Sequence, residues 1–313
     1  MIHPPPRSFQ GEAAVCRFHA PVPYILSETV NYPAVFEENQ SMFNLSDKPQ
    51  LMGILNVTPD SFSDGGKFSG LAAAVSQAER MIAEGADIID VGGESTRPGS
   101  DPVAAEEQIR RVVPAITAIR QLNPTVRISI DTMSSRVAAA ARDAGADIVN
   151  DVSAGQADSD MLAFAARSGM AIVLMHMQGE PKTMQDRPYY ENVVEEVAAA
   201  LQQRIDAALD AGIAPQNIAI DPGIGFGKRK QDNLQLLAHL QRFVGMGYPV
   251  LLGASRKRFM GNICNVEQPA ELVTATAVTT ALGVMAGVRM FRVHDVTANR
   301  QAIDVAWAIK TAQ

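Results

Sequence analysis

From residue 50 onward the chain repeats one device: a short run of β-branched and aliphatic residues, then a longer Ala-rich stretch of helical character. Such runs fall at 50–56, 87–92, 126–131, 147–152, 171–176, 217–221, 249–254 and 289–293, with helical windows such as 70–84, 103–122, 134–144, 190–211 and 269–286 between them. Apolar strands, each followed by a crossover helix, require a parallel sheet covered on both faces. Eight units in succession predict a (β/α)8 barrel, and a chain of 313 residues, 47% hydrophobic, is ample for one barrel of about 250 residues. The expected fold is therefore α/β, a single (β/α)8 TIM barrel with a short N-terminal extension.

A local echo supports the repeat. Glu84-Gly-Ala-Asp-Ile-Ile-Asp90 and Ala144-Gly-Ala-Asp-Ile-Val-Asn150 use the same helix stop, turn and strand start. Gly85 and Gly145 suit the left-handed position that ends a helix, which explains them without any chemistry.

Residues 1–41 read differently. The first 40 carry six of the 18 prolines and no clear periodicity, so this part is expected to be an extension, with the barrel at 42–313. Met42 leads straight into the first strand and is an alternative expected start. The opening Met1-Ile-His-Pro-Pro-Pro-Arg7 lacks the basic and apolar regions of a secretory signal, so a cytoplasmic location is expected. The charge-free apolar stretch Leu272–Val288 is shorter than the ~20 residues that span a bilayer; it is expected to be a buried barrel helix, with no membrane partner. A net charge of −7 without a Lys/Arg block argues against nucleic acid. Cys16 and Cys264 have neither disulfide-framework nor zinc spacing.

The apolar runs end in residues that a buried strand has no packing reason to contain: Asn56, the segment Gly92–Arg97, Asp131, Asn150-Asp151, His176, Asp221, Ser255-Arg256-Lys257 and Arg292-Val-His294. In a barrel these positions converge on one face, where barrel enzymes keep their chemistry. Asp131, Asn150 and Asp221 offer two carboxylates and an amide, which suits a flat heterocycle edge bearing several N–H donors. A divalent-metal site built from the same carboxylates is the competing reading. The loops after strands seven and eight are the usual phosphate-binding place, and here they supply Ser255, Arg256, Lys257, Arg292 and His294. Backbone amides after Lys257 can add donors.

Two glycine-rich segments follow strands. Gly223-Ile-Gly-Phe-Gly-Lys-Arg229 has neither dinucleotide-loop nor P-loop spacing and reads as a mobile or close-approach loop. Thr58-Pro-Asp-Ser-Phe-Ser-Asp-Gly-Gly66, with turn formers around Phe62, reads as a lid.

Met52-Gly-Ile-Leu-Asn-Val-Thr-Pro-Asp-Ser-Phe-Ser-Asp-Gly-Gly66 with Ile88-Ile-Asp-Val-Gly-Gly-Glu-Ser-Thr-Arg-Pro-Gly99 resembles the paired signature of the dihydropteroate synthases. The likeness continues through Leu174–Gly179, Asp221–Lys228, Ser255–Lys257 and Arg292–Asp295, from about residue 42 to the end. The resemblance implies a transferase of folate biosynthesis that joins 6-hydroxymethyl-7,8-dihydropterin diphosphate to 4-aminobenzoate and releases diphosphate. It implies Asp131, Asn150, Met175, Asp221 and Lys257 at the pterin; Asn56, Thr96, Arg97, Arg292 and His294 at the diphosphate; and Phe62, Pro98, Ser255 and Arg256 at 4-aminobenzoate. Of these, Asp131, Asp221, Lys257, Arg292 and His294 are the implied catalytic set, and Asn56 is the implied ligand of Mg2+. Sulfonamides as inhibitors and a homodimer are implied too.

The amine is neutral and nucleophilic at pH 7, so no dedicated base is needed; an SN1-like displacement assisted by Mg2+ is expected. A barrel that moves a methyl group from methyltetrahydrofolate to a corrinoid has no need of the diphosphate grip. A barrel that has lost catalysis has no need of intact loops. Diphosphate release dependent on both substrates separates the three.

Overall fold

The computed structural model describes residue 43 and residues 48–57, 67–94, 101–179 and 183–312; the expected extension over 1–41 lies outside them. Its strands are β1 Gln50–Asn56, β2 Ile88–Gly92, β3 Arg127–Asp131, β4 Ile148–Asp151, β5 Ala171–Met175, β6 Ile218–Asp221, β7 Leu251–Leu252 and β8 Met290–Val293. All pair in parallel in the order β6-β5-β4-β3-β2-β1-β8-β7, and a bridge between Ile220 and Val250 joins the two edges, so the sheet curls into the expected barrel.

The seventh strand is much shorter than its expected 249–254. Its neighbours use its carbonyls instead: Pro249 O accepts from Ile220 N at 2.9 Å, and Val250 O accepts from Met290 N at 3.1 Å. Proline has no N–H to return, so the ladder there is one-sided.

Ten helices wrap the described part of the barrel: α1 Lys67–Ala83, α2 Ala105–Leu122, α3 Ser135–Asp143, α4 Met161–Ser168, α5 Val193–Asp210, α6 Lys230–Ala238, α7 Leu240–Val244, α8 Arg258–Cys264, α9 Val273–Ala286 and α10 Val296–Thr311. The window expected at 190–211 starts three residues late because Asn192 is the cap, its side chain accepting from Glu195 N at 3.3 Å.

Alternation along the strands sorts the side chains into two populations. Ile89, Val91, Ile128, Ile130, Val149, Ile172, Leu174, Ile220 and Phe291 point outward and join the helices in the main core. Met52, Ile88, Ile148, Ala171, Val173, Ala219, Leu251 and Met290 form a separate cluster inside the barrel, with Phe43. Two residues further along the inward parity lie Asp90, Asn150, Met175, Asp221 and Arg292, and Asp131 follows Ser129 in the same sense. Polarity therefore begins one layer above an apolar floor.

The echoed Gly-Ala-Asp device has a second purpose. Gly85 and Gly145 adopt φ of +98° and +112°, as expected after a helix. The aspartate that follows each then caps a neighbouring strand: Asp87 accepts from Leu51 N at 2.7 Å and Asp147 from Ile128 N at 2.8 Å. An arginine covers each carboxylate, Arg300 on Asp87 and Arg120 on Asp147. Strand-edge donors at the barrel's amino end are thus satisfied by carboxylates rather than left to water.

α9 departs from the expected buried helix. Thr276, Thr280, Gly283 and Val284 are buried, but Val278 and Leu282 are 53% and 62% exposed. An outer barrel helix has only one face to pack, and this sequence is apolar on both. No helix among the described residues is long and apolar enough to cross a membrane.

Candidate active site

The carboxyl ends of β2, β3, β4, β6 and β8 meet over the apolar floor. Arg292 of β8 reaches across it: its Nε donates to Asp90 Oδ2 at 2.6 Å and its Nη2 to Asp131 Oδ2 at 2.7 Å. The Asn150 amide points its nitrogen at both Asp90 oxygens, at 3.4 and 3.5 Å. Burial works against the guanidinium's charge, yet the two carboxylates outweigh it and raise its pKa further, so Arg292 stays charged.

Asp131 shows the opposite balance. Burial pushes its carboxyl well up, against the lowering effect of Arg292, and Asp90 pushes in the same direction as burial. Its second oxygen, Oδ1, is buried without a partner among the described residues. An orphaned buried acceptor costs roughly 1–3 kcal/mol, a cost removed when a ligand brings an N–H to it. Asp221 is similarly buried; its pKa is raised to about 6 by burial, opposed by the Gly223 N–H that donates to Oδ1 at 2.7 Å and by the charges of Lys257 and Lys228.

Met175 bounds the site from β5, packed with Val152, Met184 and Phe226. The Lys257 ammonium sits 4.1 Å from the centroid of the Phe226 ring. Such a cation–π contact holds the ammonium against the ring face.

The glycine loop after β6 is a close-approach loop. Gly223, Gly225 and Gly227 all have positive φ, and a Cβ on Gly223 or Gly227 would lie 1.9 or 2.3 Å from the carbonyl oxygens of His176 and Gln178. Lys228 fills the crevice between these loops. Its buried Nζ donates to Phe226 O at 3.0 Å and His176 O at 3.3 Å, and lies 3.0 Å from His176 Nδ1. Burial lowers its pKa to about 7, opposed by Asp221; burial and the Lys228 charge lower that of His176 to about 3. His176, which has no role from sequence alone, is therefore a neutral strand-end ring serving as an acceptor inside the fold.

At the β7–β8 side, Ser255 Oγ lies 3.0 Å from His294 Nδ1 and accepts from His294 N at 3.1 Å. Arg256 has φ of +56° and forks onto Asp295, Nε to Oδ2 at 2.9 Å and Nη2 to Oδ1 at 2.5 Å. Its guanidinium is thus committed to a carboxylate, while its backbone N donates to Thr276 Oγ1 at 3.1 Å. Asn56 closes the rim at the end of β1; its Oδ1 is 3.6 Å from where a Cβ on Gly92 would stand.

The structure accordingly brings Asp131, Asn150, Asp221, Arg292, Met175 and Lys257 around one space, with Asn56, Ser255 and His294 along its rim. Phe62, Thr96, Arg97 and Pro98 lie outside the described residues. Sequence reasoning missed Asp90 and Lys228. The signal for Asp90 was available: a carboxylate at an inward position of an otherwise apolar strand has to meet a cation. Lys228 had no such signal, because its partners come from another loop.

The sequence pattern of the family described as pterin binding enzyme matches residues 52–294. Dihydropteroate synthase of Synechocystis sp. is 42% identical over 278 residues, covering 89% of this chain and 96% of that protein. The crystal structure of Yersinia pestis dihydropteroate synthase with a sulfonamide drug complex aligns with a TM-score of 0.79 at 41% identity, covering 84% of this chain and 95% of that one. That of the Xanthomonas albilineans enzyme with 4-aminobenzoic acid also reaches 0.79, at 45% identity and with 84% and 94% covered. With the buried polar layer above the apolar floor and 42% identity over nearly the full length of a relative in agreement, the chain belongs to the pterin-binding enzymes and, within them, to the dihydropteroate synthases.

Proposed function

We propose that this transferase condenses 6-hydroxymethyl-7,8-dihydropterin diphosphate with 4-aminobenzoate to give 7,8-dihydropteroate and diphosphate, in the cytoplasm. The observation that carries the reading is the inward polar layer: Asp131 with an unpartnered oxygen, Asn150 and Asp221, all buried and within one barrel mouth. A ring edge with several N–H groups satisfies these acceptors, and Met175 and Lys257 flank it. Arg292, His294, Asn56, Thr96 and Arg97 take the diphosphate. Phe62, Pro98, Ser255 and Arg256 take 4-aminobenzoate, the molecule held by the Xanthomonas relative. Arg256 acts there through its backbone and its hold on Asp295, since its guanidinium is already paired.

Mg2+ fits the donor set in one way. Among the described residues no three His, Cys, Asp or Glu side chains are grouped to hold a metal, so a resident cage is not built. Asn56, at the rim, would supply one amide oxygen to the ion. When bound, the ion neutralises charge on the leaving diphosphate.

The chain's own residues do the rest. Arg292 and His294 stabilise the diphosphate as the methylene C–O bond breaks and its electron pair leaves with the oxygen. The pterin, fixed edge-on by Asp131, Asn150 and Asp221, delocalises the positive charge left on the methylene carbon. The aromatic amine then forms the C–N bond with its lone pair and gives up one proton. This order is SN1-like, and no dedicated base is required.

Diphosphate release that requires pterin diphosphate, 4-aminobenzoate and Mg2+ together tests the function; its absence overturns it. Positional isotope exchange in the pterin diphosphate without the amine tests the order, and no exchange refutes it. Sulfonamides are expected to compete with 4-aminobenzoate, as the drug-bound Yersinia relative suggests.

A homodimer is part of the same proposal. Val278, Leu282 and Met285 recur at helical spacing on α9, and Val305 and Ile309 on α10, which packs beside it, are exposed as well. Five exposed large apolar side chains on two adjoining helices suit a two-fold contact between copies.

A further inference from the structure

Asp90 is fully buried, yet it touches two residues assigned above and shares a guanidinium with a third. Nothing at 0% exposure can be a first contact for a ligand, so its effect must pass through its neighbours. The geometry of Arg292 says how. Nε is bonded to Asp90 and Nη2 to Asp131, two separate donors of one rigid fork, while the Nη1 edge is engaged with neither carboxylate.

Asp131 therefore has two claimants under the proposed function. In the structure one of its oxygens holds Arg292 and the other is unpartnered, whereas the pterin edge needs this same carboxylate. With Asp131 as its sole anchor, Arg292 would hang by one bond from a carboxylate that the ring also engages, in conflict with holding the guanidinium fixed as a diphosphate arrives. A second carboxylate below removes that conflict.

Resting on the function proposed above, we infer that Asp90 is a positioning residue of the diphosphate subsite. It tethers Arg292 through Nε, so that the guanidinium, sharing Asp131 with the pterin, stays fixed in the barrel mouth with its remaining nitrogens turned to the diphosphate. The contact of Asn150 with the Asp90 oxygens is long, at 3.4 and 3.5 Å, so the pterin side of the site leans little on this anchor.

The test compares two ligands on the full-length protein by calorimetry: 6-hydroxymethyl-7,8-dihydropterin without a diphosphate, and its diphosphate ester with Mg2+. The affinity ratio between them measures the diphosphate subsite. Asp90→Asn is expected to weaken the ester about tenfold or more, as for loss of a charge-assisted bond, and to leave the bare pterin within about threefold, so the ratio collapses. Asp131→Asn should weaken both together. Equal weakening of both ligands by Asp90→Asn, or an unchanged ratio, overturns the assignment.

Should Asp90→Asn fail to fold, the wild-type protein gives an independent readout. The 15N–1H signal of Arg292 Nε, identified by its loss in Arg292→Lys, is expected to stay protected from exchange when bare pterin is added. Rapid exchange on pterin binding overturns the tether. Wild-type protein that binds neither ligand overturns both this inference and the function beneath it.

Discussion

Nζ of Lys228 lies 3.0 Å from Nδ1 of His176 while it also donates to the carbonyls of His176 and Phe226. One buried lysine thus joins the ends of β5 and β6 and sets the carbonyl of the residue whose ring lies under Lys257. Replacing it by Met leaves two carbonyls and a ring nitrogen without donors. Lys228→Met is expected to lower stability by at least ~2 kcal/mol in denaturant unfolding. The sign with pH is defined: a lysine whose folded pKa is lowered to about 7 contributes stability that is present above its unfolded value and lost as pH falls through about 7. The difference between wild type and variant should therefore be larger at pH 9 than at pH 6; a larger difference at pH 6 contradicts this account.

Asp221 sets a pH limb on catalysis. It must be ionised to accept an N–H from the ring, and burial raises its pKa to about 6. kcat/KM for the pterin substrate, which reports the free enzyme, is expected to fall as pH drops through about 6. A profile flat down to pH 5 would show that this carboxylate is not an essential acceptor.

Two glycines of nearly equal φ give a controlled pair. Gly223 and Gly169 have φ of +70° and +69°, but a Cβ on Gly223 meets His176 O at 1.9 Å, whereas one on Gly169 meets nothing within 4 Å. Gly169→Ala should cost only the left-handed backbone penalty, roughly 1–2 kcal/mol. Gly223→Ala adds a backbone collision and should yield little folded protein. Comparable melting temperatures for the two variants would mean that the β5 and β6 loops separate easily.

Leu282 is 62% exposed near the middle of the apolar face of α9. Leu282→Glu is expected to shift the protein from dimer to monomer in light scattering coupled to size exclusion, with the barrel's circular dichroism unchanged. A wild-type protein that is monomeric at high micromolar concentration removes the dimer from the proposal.

Much of this arrangement is legible along the chain because barrel geometry is periodic. Inward and outward positions alternate, so the strand-end residues Asp131, Asn150, Asp221 and Arg292 fall on one face by their place in the sequence. Glycines before a strand announced their positive φ. The residues that escaped notice are those whose partners are remote: Arg292 meets Asp90 across 202 positions, and Lys228 meets His176 across 52.

The eight-fold alternation, the mouth where polar groups gather and the family to which they belong can be read along the chain, because local period and long motifs are properties of neighbouring residues. Which charge each buried group faces is set by the folded barrel. Arg292 rests on two carboxylates rather than in the open, Arg256 is spoken for by Asp295, and His176 is held by a lysine. Electrostatic pairing depends on distance through space, and closing the barrel is what brings its first and last strands within a hydrogen bond of each other.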